Sequence, residues 1–470
     1  MNKYTKLLKN TSILGMGAFL SKVLVFLLLP LYSSVMTTSD YGTADIVAQS
    51  ANLLQPLITL GICNAVFRFC YDDKDNQDAV FTIGFSTLIA GMGIFALCIP
   101  LLKKIYILDD YMLLLALYVF MYGMHTICAQ FLRGRGLVKT YAVKGVLCTV
   151  FTLVFNILLL VVFRLGVTGY LVANILADFF TVLYMFKAAD LVDAIQIKKY
   201  SPRLAVNMLK YSIPLIPTTV FWWITNISDR YVILYMVDEA ASGVYAMGYK
   251  IPNIVIMLTG VFIEAWQMSL VEEDNKGSMG KFFTKVFEGY KSVMFIAASG
   301  LILFVKVITK ILIKNDFYEA WQYTPFLIVA TVCSGLVTFV SVIFLVKKKS
   351  VNSLICSSAS AIINILLNII LIKSYGVMGA AVATMISYIA VYFLASYRSQ
   401  LYVKYKPYHA RTAVNIALVI LQSIAMVYFG KASYVISAIL FVVIVLFNFQ
   451  MVMYTVKTFL GKRNEKKNAD

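Results

Sequence analysis

Long apolar runs, separated by short polar or charged segments, dominate the sequence pattern of this chain. Each run is long enough to cross the hydrocarbon layer of a bilayer as a helix, which takes about 20 residues. The pattern therefore predicts an all-α integral membrane protein with about 14 transmembrane helices. The predicted spans cover residues 11–34, 42–67, 79–101, 109–131, 142–163, 167–187, 211–237, 243–268, 287–312, 322–346, 351–372, 376–397, 411–430 and 434–459.

The composition excludes most soluble classes. Of the 470 residues, 61% are hydrophobic and only 14% are charged, whereas ordinary soluble domains have about 25% charged residues. A soluble globular domain, a disordered chain, a coiled coil and a disulfide-stapled secreted domain are therefore excluded. The net charge of +18 comes with a hydrophobic chain, so it reports membrane topology and does not point to a nucleic-acid partner.

The basic residues show which connecting segments lie in the cytoplasm. Lysine and arginine concentrate in alternate connections, beginning with the amino-terminal segment and ending with the tail GKRNEKKNAD. Because basic residues collect in cytoplasmic loops, we expect both termini and residues 188–210 to be cytoplasmic. An even number of spans agrees with this expectation.

Two sequence echoes indicate an internal repeat. LLKNTSILG is echoed by MLKYSIPLI, and FNILLLVVFRLGVTG is echoed by LNIILIKSYGVMG. These alignments pair Gly42 with Gly243 at an offset of 201, and Gly166 with Gly376 at an offset of 210. An offset of six spans keeps both copies in the same orientation, which is typical of parallel repeats in transporters. We expect an N-terminal six-helix lobe (1–190), a C-terminal six-helix lobe (191–400) and two additional helices with a basic cytoplasmic tail (401–470).

Polar stripes run along two of the predicted spans. Side chains three or four residues apart share one helix face, and a face that is polar along its length does not suit lipid. We interpret both stripes as lining a water-filled cavity, with hydrogen-bonding seams between helices as the alternative. The stripes consist of Asp45, Gln49, Asn52, Gln55 and Thr59 in span 2, and of Lys250, Asn253, Gly260, Glu264 and Gln267 in span 8.

Several charged residues lie inside predicted spans. A charge near the bilayer centre costs about 2.5 to 3.5 kcal/mol on insertion scales, so these side chains should face protein or water. Asp229 and Lys250 are predicted at similar depth, which allows either a functional role or an ion pair between spans 7 and 8. The residues concerned are Lys22, Asp178, Asp229, Arg230, Lys250 and Glu264.

Histidines and cysteines give no sign of a metal site or a cofactor. His125 is the one histidine in a predicted span and His409 lies in a connection, so we interpret both as packed or solvated side chains. The seven cysteines include no CxxC pair and lie mostly in apolar runs. Neither a disulfide framework nor a cofactor is expected.

Three segments resemble a known family. They are KLLKNTSILGMGAFLSKVLVFLLLPLYSSVMTTSDYGTADI, FLRGRGLVKTY and SDRYVILYMVDEAASGVYAMGYKI, and they look like the polysaccharide transporter (Wzx-type) flippases of the MOP exporter superfamily. The most specific motif is Asp229-Arg230 followed about 13 residues later by Gly-x-Tyr. Many members are described with 12 spans, so the count of about 14 departs toward the lipid II flippase branch of the superfamily.

The resemblance implies two six-helix lobes and alternating access that moves an undecaprenyl-pyrophosphate-linked oligosaccharide across the bacterial cytoplasmic membrane. Membrane lipids and polysaccharide synthesis proteins are the other partners it suggests. Basic residues that face the cavity hold the pyrophosphate in relatives, and Lys22 is the position that fits here. We expect the cargo site to include Lys22, Gln49, Asn52, Arg230, Lys250 and Asn253.

Asp178, Asp229 and Glu264 are the candidates for binding H⁺ or Na⁺ as a coupling ion. Two alternatives remain: a MATE-like cation-coupled drug exporter, and a membrane glycosyltransferase or polymerase. An enzyme is disfavoured because the sequence contains no GxSxG, HExxH or phosphate-binding loop motif.

Overall fold

The computed structural model describes residues 26, 28–72, 74, 76–102, 109–275, 279–347 and 349–467. These residues form helices and connections without a strand, which confirms the all-α fold. The α-helices are α1 (Leu28–Val35), α2 (Thr38–Ile58), α3 (Ile62–Asp72), α4 (Gln77–Leu102), α5 (Met112–Gly134), α6 (Val138–Asn156), α7 (Gly166–Ala188), α8 (Pro202–Ser212), α9 (Ile216–Met236), α10 (Glu239–Gly248), α11 (Asn253–Asn275), α12 (Met279–Leu303), α13 (Val305–Leu312), α14 (Thr324–Val346), α15 (Ser350–Gln400), α16 (His409–Tyr428) and α17 (Ser433–Lys467).

The protein is a multi-pass membrane protein. Within the described ranges, nine helices are long and apolar enough to cross a bilayer, and the bent pair α2 and α3 gives a tenth candidate. One of the nine, α15, has 51 residues and contains two of the predicted spans. It bends at Gly376, whose φ of 56° belongs to the left-handed region that glycine tolerates. The count of about 14 spans stays a prediction.

Two predicted spans are interrupted. The span predicted over 42–67 breaks between α2 and α3, where Leu60 and Gly61 have positive φ and the helix axis turns by 54°. The span predicted over 243–268 breaks between α10 and α11, just before Asn253. Pro252 lies in that second break and lacks the N–H that a continuous helix requires. Each of these two predicted spans is therefore divided between two helices.

The described residues form two compact units by their contacts. Unit 1 runs up to Trp223 and also includes Glu239–Gly243; unit 2 contains Ile224–Asp238 and everything from Val244 onward. In unit 1, α5 packs against α2, α3, α4 and α7 around a buried apolar core that includes the ring pair Phe81 and Phe131. Asp78 ties one end of this unit together, since it forms ion pairs with Arg135 at 3.0 Å and Lys199 at 3.2 Å.

Unit 2 is built around α12 and α14. The ring of Trp266 on α11 stacks on Phe339 of α14, with centroids 4.4 Å apart. The last two helices, α16 and α17, pack against α12. Lys291 of α12 is buried and contacts Glu288 at 2.5 Å, and it also donates to the carbonyl oxygen of Pro407 at 2.7 Å. The two C-terminal helices thus belong to the second unit.

Candidate functional site

A buried carboxylate forms the centre of a polar cluster in unit 2. Asp229 lies on α9 and is fully buried. Its Oδ2 accepts hydrogen bonds from the Tyr245 and Thr384 hydroxyls, both at 2.5 Å. Its Oδ1 accepts from Nδ2 of Asn368 at 2.9 Å. Four helix segments thus converge on one carboxylate, because Tyr245 belongs to α10 and the other two partners to the two halves of α15.

Neutral side chains complete this cluster. Asn364 and Asn368 lie four residues apart on one face of α15, and Nδ2 of Asn364 donates to Oγ1 of Thr384 at 3.1 Å. Ser228 donates to Oδ1 of Asn364 at 2.9 Å. Oδ1 of Asn368 is buried and accepts no hydrogen bond from any described residue. A buried acceptor without a donor, next to a carboxylate, is suited to binding a cation.

The contacts of Asp229 overturn one interpretation. Within the described part of the chain its polar partners are neutral side chains, and the ion pair with Lys250 allowed by the sequence is not formed. Lys250 lies in the break between α10 and α11, so depth counted along an unbroken helix misplaced it. Asn253 is the first residue of α11 and is partly buried. Arg230 is buried on α9, with its guanidinium carbon 5.7 Å from the Tyr249 ring centroid.

The predicted stripe of α2 divides into two parts in unit 1. Asn52 donates to Oε1 of Gln49 at 2.9 Å, and the carbonyl oxygen of Gln49 accepts from the Trp223 indole at 3.1 Å. Both side chains are partly buried. In contrast, Gln55 is buried and donates to the sulfur of Cys63 at 3.1 Å. Gln55 therefore belongs to a seam between helices, as the alternative interpretation held.

A second buried acid in unit 1 has charged partners. Asp178 on α7 is bonded through Oδ1 to Nδ1 of His125 on α5. Nε2 of the same imidazole lies 3.0 Å from Nζ of Lys144 on α6. His125 is therefore packed, as expected, but its two bonded partners were not predicted. An imidazole between an ammonium and a carboxylate bridges their charges, so Asp178 already has compensation that Asp229 lacks.

This second cluster also contains a set of metal-ligating groups. Ligand atoms of His125, Cys148 and Asp178 lie within 4.8 Å of one another. Histidine, cysteine and aspartate are ordinary zinc ligands, and the sequence did not indicate that these three residues lie together. However, the Lys144 ammonium beside the imidazole repels a second cation. The arrangement favours an internal charge network over a metal centre.

Two predicted site residues cannot be placed. Lys22 lies outside the described residues, and the side chain of Glu264 on α11 is likewise outside the described part of the structure.

The family of the chain follows from its sequence profile. A profile described as "Polysaccharide biosynthesis protein" matches residues 7–266, which is more than half of the chain. The chain belongs to this polysaccharide biosynthesis protein family. The matched region includes Asp178, Lys144 and Asp229, whereas the α15 residues that surround Asp229 lie beyond it. A comparison with curated proteins finds no match.

Solved structures with the same fold belong to the MOP superfamily. An inward-facing multidrug resistance MATE transporter has a TM-score of 0.69 at 14% identity, covering 81% of this chain and 95% of its own. The lipid II flippase MurJ in an inward closed conformation has a TM-score of 0.67 at 14% identity, covering 95% of this chain and 98% of its own. A MOP transporter from Pyrococcus furiosus has a TM-score of 0.62 at 15% identity, over 83% and 96%. This member of the polysaccharide biosynthesis protein family therefore has the MOP transporter fold.

Sequence reasoning missed several residues of both clusters in this family member. Asn364, Asn368 and Thr384 are polar residues in long apolar runs, and the four-residue spacing of the asparagines was a usable signal of a polar face. Tyr245 gave no such signal, because tyrosine is common in membrane helices. Lys144 was counted among the inner basic residues, since it lies near the start of α6.

Proposed function

We propose that this protein is a flippase that moves an undecaprenyl-pyrophosphate-linked oligosaccharide across the bacterial cytoplasmic membrane by alternating access, for polysaccharide biosynthesis. Membership of the polysaccharide biosynthesis protein family is the observation that carries this proposal. The fold supports it, because the structural match to the lipid II flippase extends over 95% of this chain. Both termini lie in the cytoplasm in this proposal, and the protein acts as a transporter without catalysis.

The cargo would be held by charge and hydrogen bonds. Lys22 and Arg230 are the candidates to pair with the pyrophosphate, and Gln49, Asn52, Lys250 and Asn253 are the candidates to contact phosphate or sugar. The lipid tail stays in the bilayer, while the diphosphate and the sugars need a polar path. Replacing Lys22 or Arg230 by alanine should reduce polysaccharide export at normal protein abundance. Equal export by Lys22→Arg and Lys22→Gln variants would remove Lys22 from the cargo site.

Asp229 is the coupling residue in this proposal. It is a single carboxylate among neutral oxygen and amide groups, so its charge of −1 matches one H⁺ or one Na⁺. The buried, unsatisfied Oδ1 of Asn368 offers an additional ligand. Asp178 and Glu264 were equal candidates on sequence, but Asp178 is already paired with His125. Cation binding that differs in affinity between two conformations would bias their populations.

Reconstituted transport tests the proposal. Purified protein in liposomes should accelerate the flipping of undecaprenyl-diphosphate carrying a fluorescent oligosaccharide, followed by a membrane-impermeant quencher. An imposed Na⁺ or pH gradient should change this rate. Asp229→Asn should abolish the response to the gradient, whereas Asp316→Asn, at an exposed carboxylate of the same unit, should not.

Three outcomes would contradict all or part of the proposal. Failure to flip the lipid-linked sugar under any gradient would exclude the flippase. Gradient-driven export of organic cations without flipping would favour a drug exporter, the alternative that the fold of the MATE neighbour supports. Flipping that ignores both gradients and the Asp229→Asn change would leave a flippase without ion coupling.

A further inference from the structure

A long apolar groove opens on unit 1 between α2 and α4. It has a volume of about 690 Å³, within the range of about 300 to 1,000 Å³ typical of ligand pockets. The lining of this α2–α4 groove is mostly aliphatic, with Leu54 and Ile58 from α2 and Ala90, Ile94 and Cys98 from α4. Gly91 allows the two helices to meet at the groove, because a Cβ there would collide with the carbonyl oxygen of Ile58.

The shape of the groove suits a hydrocarbon chain. Its lining along α4 extends from Ser86 to Cys98, which at 1.5 Å per residue is about 18 Å, more than half the hydrocarbon thickness of a bilayer. The hydroxyl of Thr87, one of the few polar groups in the lining, donates to the carbonyl oxygen of Ile83 at 2.8 Å. That hydroxyl is already bonded within its own helix, so the groove offers mainly apolar contact.

One of the segments that line the groove is rich in basic residues. Tyr200 and Leu209, from the segment before α9, also line it. The same segment carries four exposed basic residues: Lys198, Lys199, Arg203 and Lys210. The Lys199–Asp78 ion pair fixes this segment to the start of α4. A hydrocarbon chain in the groove with an anionic head group would therefore have cations beside the head group.

A groove at corresponding positions in unit 2 has a smaller volume. It has a volume of about 420 Å³ and is lined by residues of α11 and α12, including Val255 and Thr259. At the repeat offset of 201, Phe262 of this groove corresponds to Gly61 of unit 1. The Phe262 ring lines this groove and stacks on Tyr290 with centroids 5.1 Å apart. The groove of unit 1 therefore has the larger volume of the two.

We propose that the α2–α4 groove binds the hydrocarbon tail of a polyprenyl phosphate, with the phosphate at the basic segment 198–210. This inference rests on the proposed function and assigns a tail site to it. The occupant is a single long chain, because the groove is long and lies between two helices, and it is anionic, because the adjoining segment is basic.

Cys98 provides a native reporter of occupancy. It lines the groove and is exposed, whereas the other six cysteines are buried or, for Cys148, partly buried. Full-length protein in phosphatidylcholine nanodiscs is treated with N-ethylmaleimide, and modification at Cys98 is followed by peptide mass spectrometry. The probe is undecaprenyl monophosphate, and the reference is phosphatidylglycerol at the same mole fraction. Cys148, away from the groove, serves as the internal control.

The proposal predicts selective protection. Undecaprenyl phosphate at four times its Kd should slow modification of Cys98 about five-fold, because about one fifth of the sites stay empty. Modification of Cys148 should not change. Unchanged modification of Cys98, or equal protection by phosphatidylglycerol, would overturn the proposal.

A pair of tryptophan substitutions on α4 tests the position. Ala90→Trp places an indole in the groove and should abolish the protection of Cys98. Ile89→Trp adds the same ring at a neighbouring, exposed position outside the lining and should retain it. Protection measures binding without transport. If the protein flips its cargo but Cys98 shows no protection, the tail site in the groove is contradicted and the flippase function is not. If Cys98 is protected but the protein does not flip the lipid, the flippase function is contradicted and the tail site is not.

Discussion

Gly42 of α2 and Gly243 of α10, the pair that the sequence repeat matches, lie directly against each other in unit 1. A Cβ on either glycine would come within 2.9 Å of the backbone nitrogen of the other. The same Cβ positions would collide with the carbonyl oxygens of Glu239 and Thr38. Two repeat-related helices therefore cross at their glycines, with backbone touching backbone.

Replacing either glycine should disrupt this crossing. Gly42→Val or Gly243→Val forces two backbones apart, so we expect a loss of at least about 1–3 kcal/mol of stability and lower abundance in the membrane. Thermal unfolding in detergent measures it. Gly93→Val is the matched control, because a Cβ at Gly93 meets no atom within 4 Å. Equal stability of the Gly42→Val and Gly93→Val variants would show that α2 and α10 are not closely packed at these glycines.

The hydroxyl of Thr384 should matter for cation binding. Thr384→Val keeps the side-chain volume but removes a donor that stabilises the charged carboxylate of Asp229, so we expect tighter H⁺ binding by roughly ten-fold, the equivalent of about 1.4 kcal/mol. Ion-dependent thermal stabilisation of purified protein gives the affinity. Thr331→Val is the control, since that hydroxyl bonds to Leu327 of its own helix. Identical cation affinities of the two variants would show that Thr384 does not contribute to the cation site.

The His125–Asp178 pair should show energetic coupling. Each single change, His125→Gln or Asp178→Asn, leaves the other partner buried without its match and should cost about 1–3 kcal/mol. The double variant should cost less than the sum, with a coupling of about 0.5–3 kcal/mol measured by chemical or thermal unfolding. The exposed pair Arg68 and Asp72, 2.8 Å apart, should show only about 0.3–0.5 kcal/mol. If the stability losses of the two single variants add up in the double variant, the contact between His125 and Asp178 does not contribute to stability.

Lys291 should be essential for the fold of unit 2. Lys291→Met leaves the buried Glu288 without its closest cation, and breaking such a pair costs about 3–5 kcal/mol. Adding Glu288→Gln should recover part of that loss, because it removes the unpaired charge. Lys281→Met, at an exposed position of α12, should change stability by less than about 0.5 kcal/mol. Unfolding curves of the three variants measure these stabilities. A Lys291→Met variant as stable as Lys281→Met would show that the buried pair is not needed for the fold of unit 2.

The orientation in the membrane gives a further prediction. Residues 188–210 should be cytoplasmic, because basic residues concentrate on that side. A cysteine at Lys199, in a background without native thiols, should react with an impermeant maleimide only after the cells are opened. Reaction in intact cells would reverse the topology.

The sequence by itself determined that this is a helical membrane protein and where several of its helices end. An apolar run of about 20 residues has few stable environments other than a bilayer, so the membrane helices were predictable from hydrophobicity alone. One echo matches a shared backbone feature, since Gly166 and Gly376 both adopt the positive φ that a side chain disfavours. The sequence also identified Asp229 as a costly charge that must have a protein environment.

Only the tertiary structure decided what surrounds each charge. Asp229 meets Asn368 and Thr384 from 139 and 155 residues away, and His125 meets Asp178 from 53 residues away. Periodicity along one helix fixes which face a residue occupies, but the neighbour on that face depends on how the helices pack. The ion pair between Asp229 and Lys250 failed for a related reason, because the break at Pro252 ended the helix on which the depth was counted.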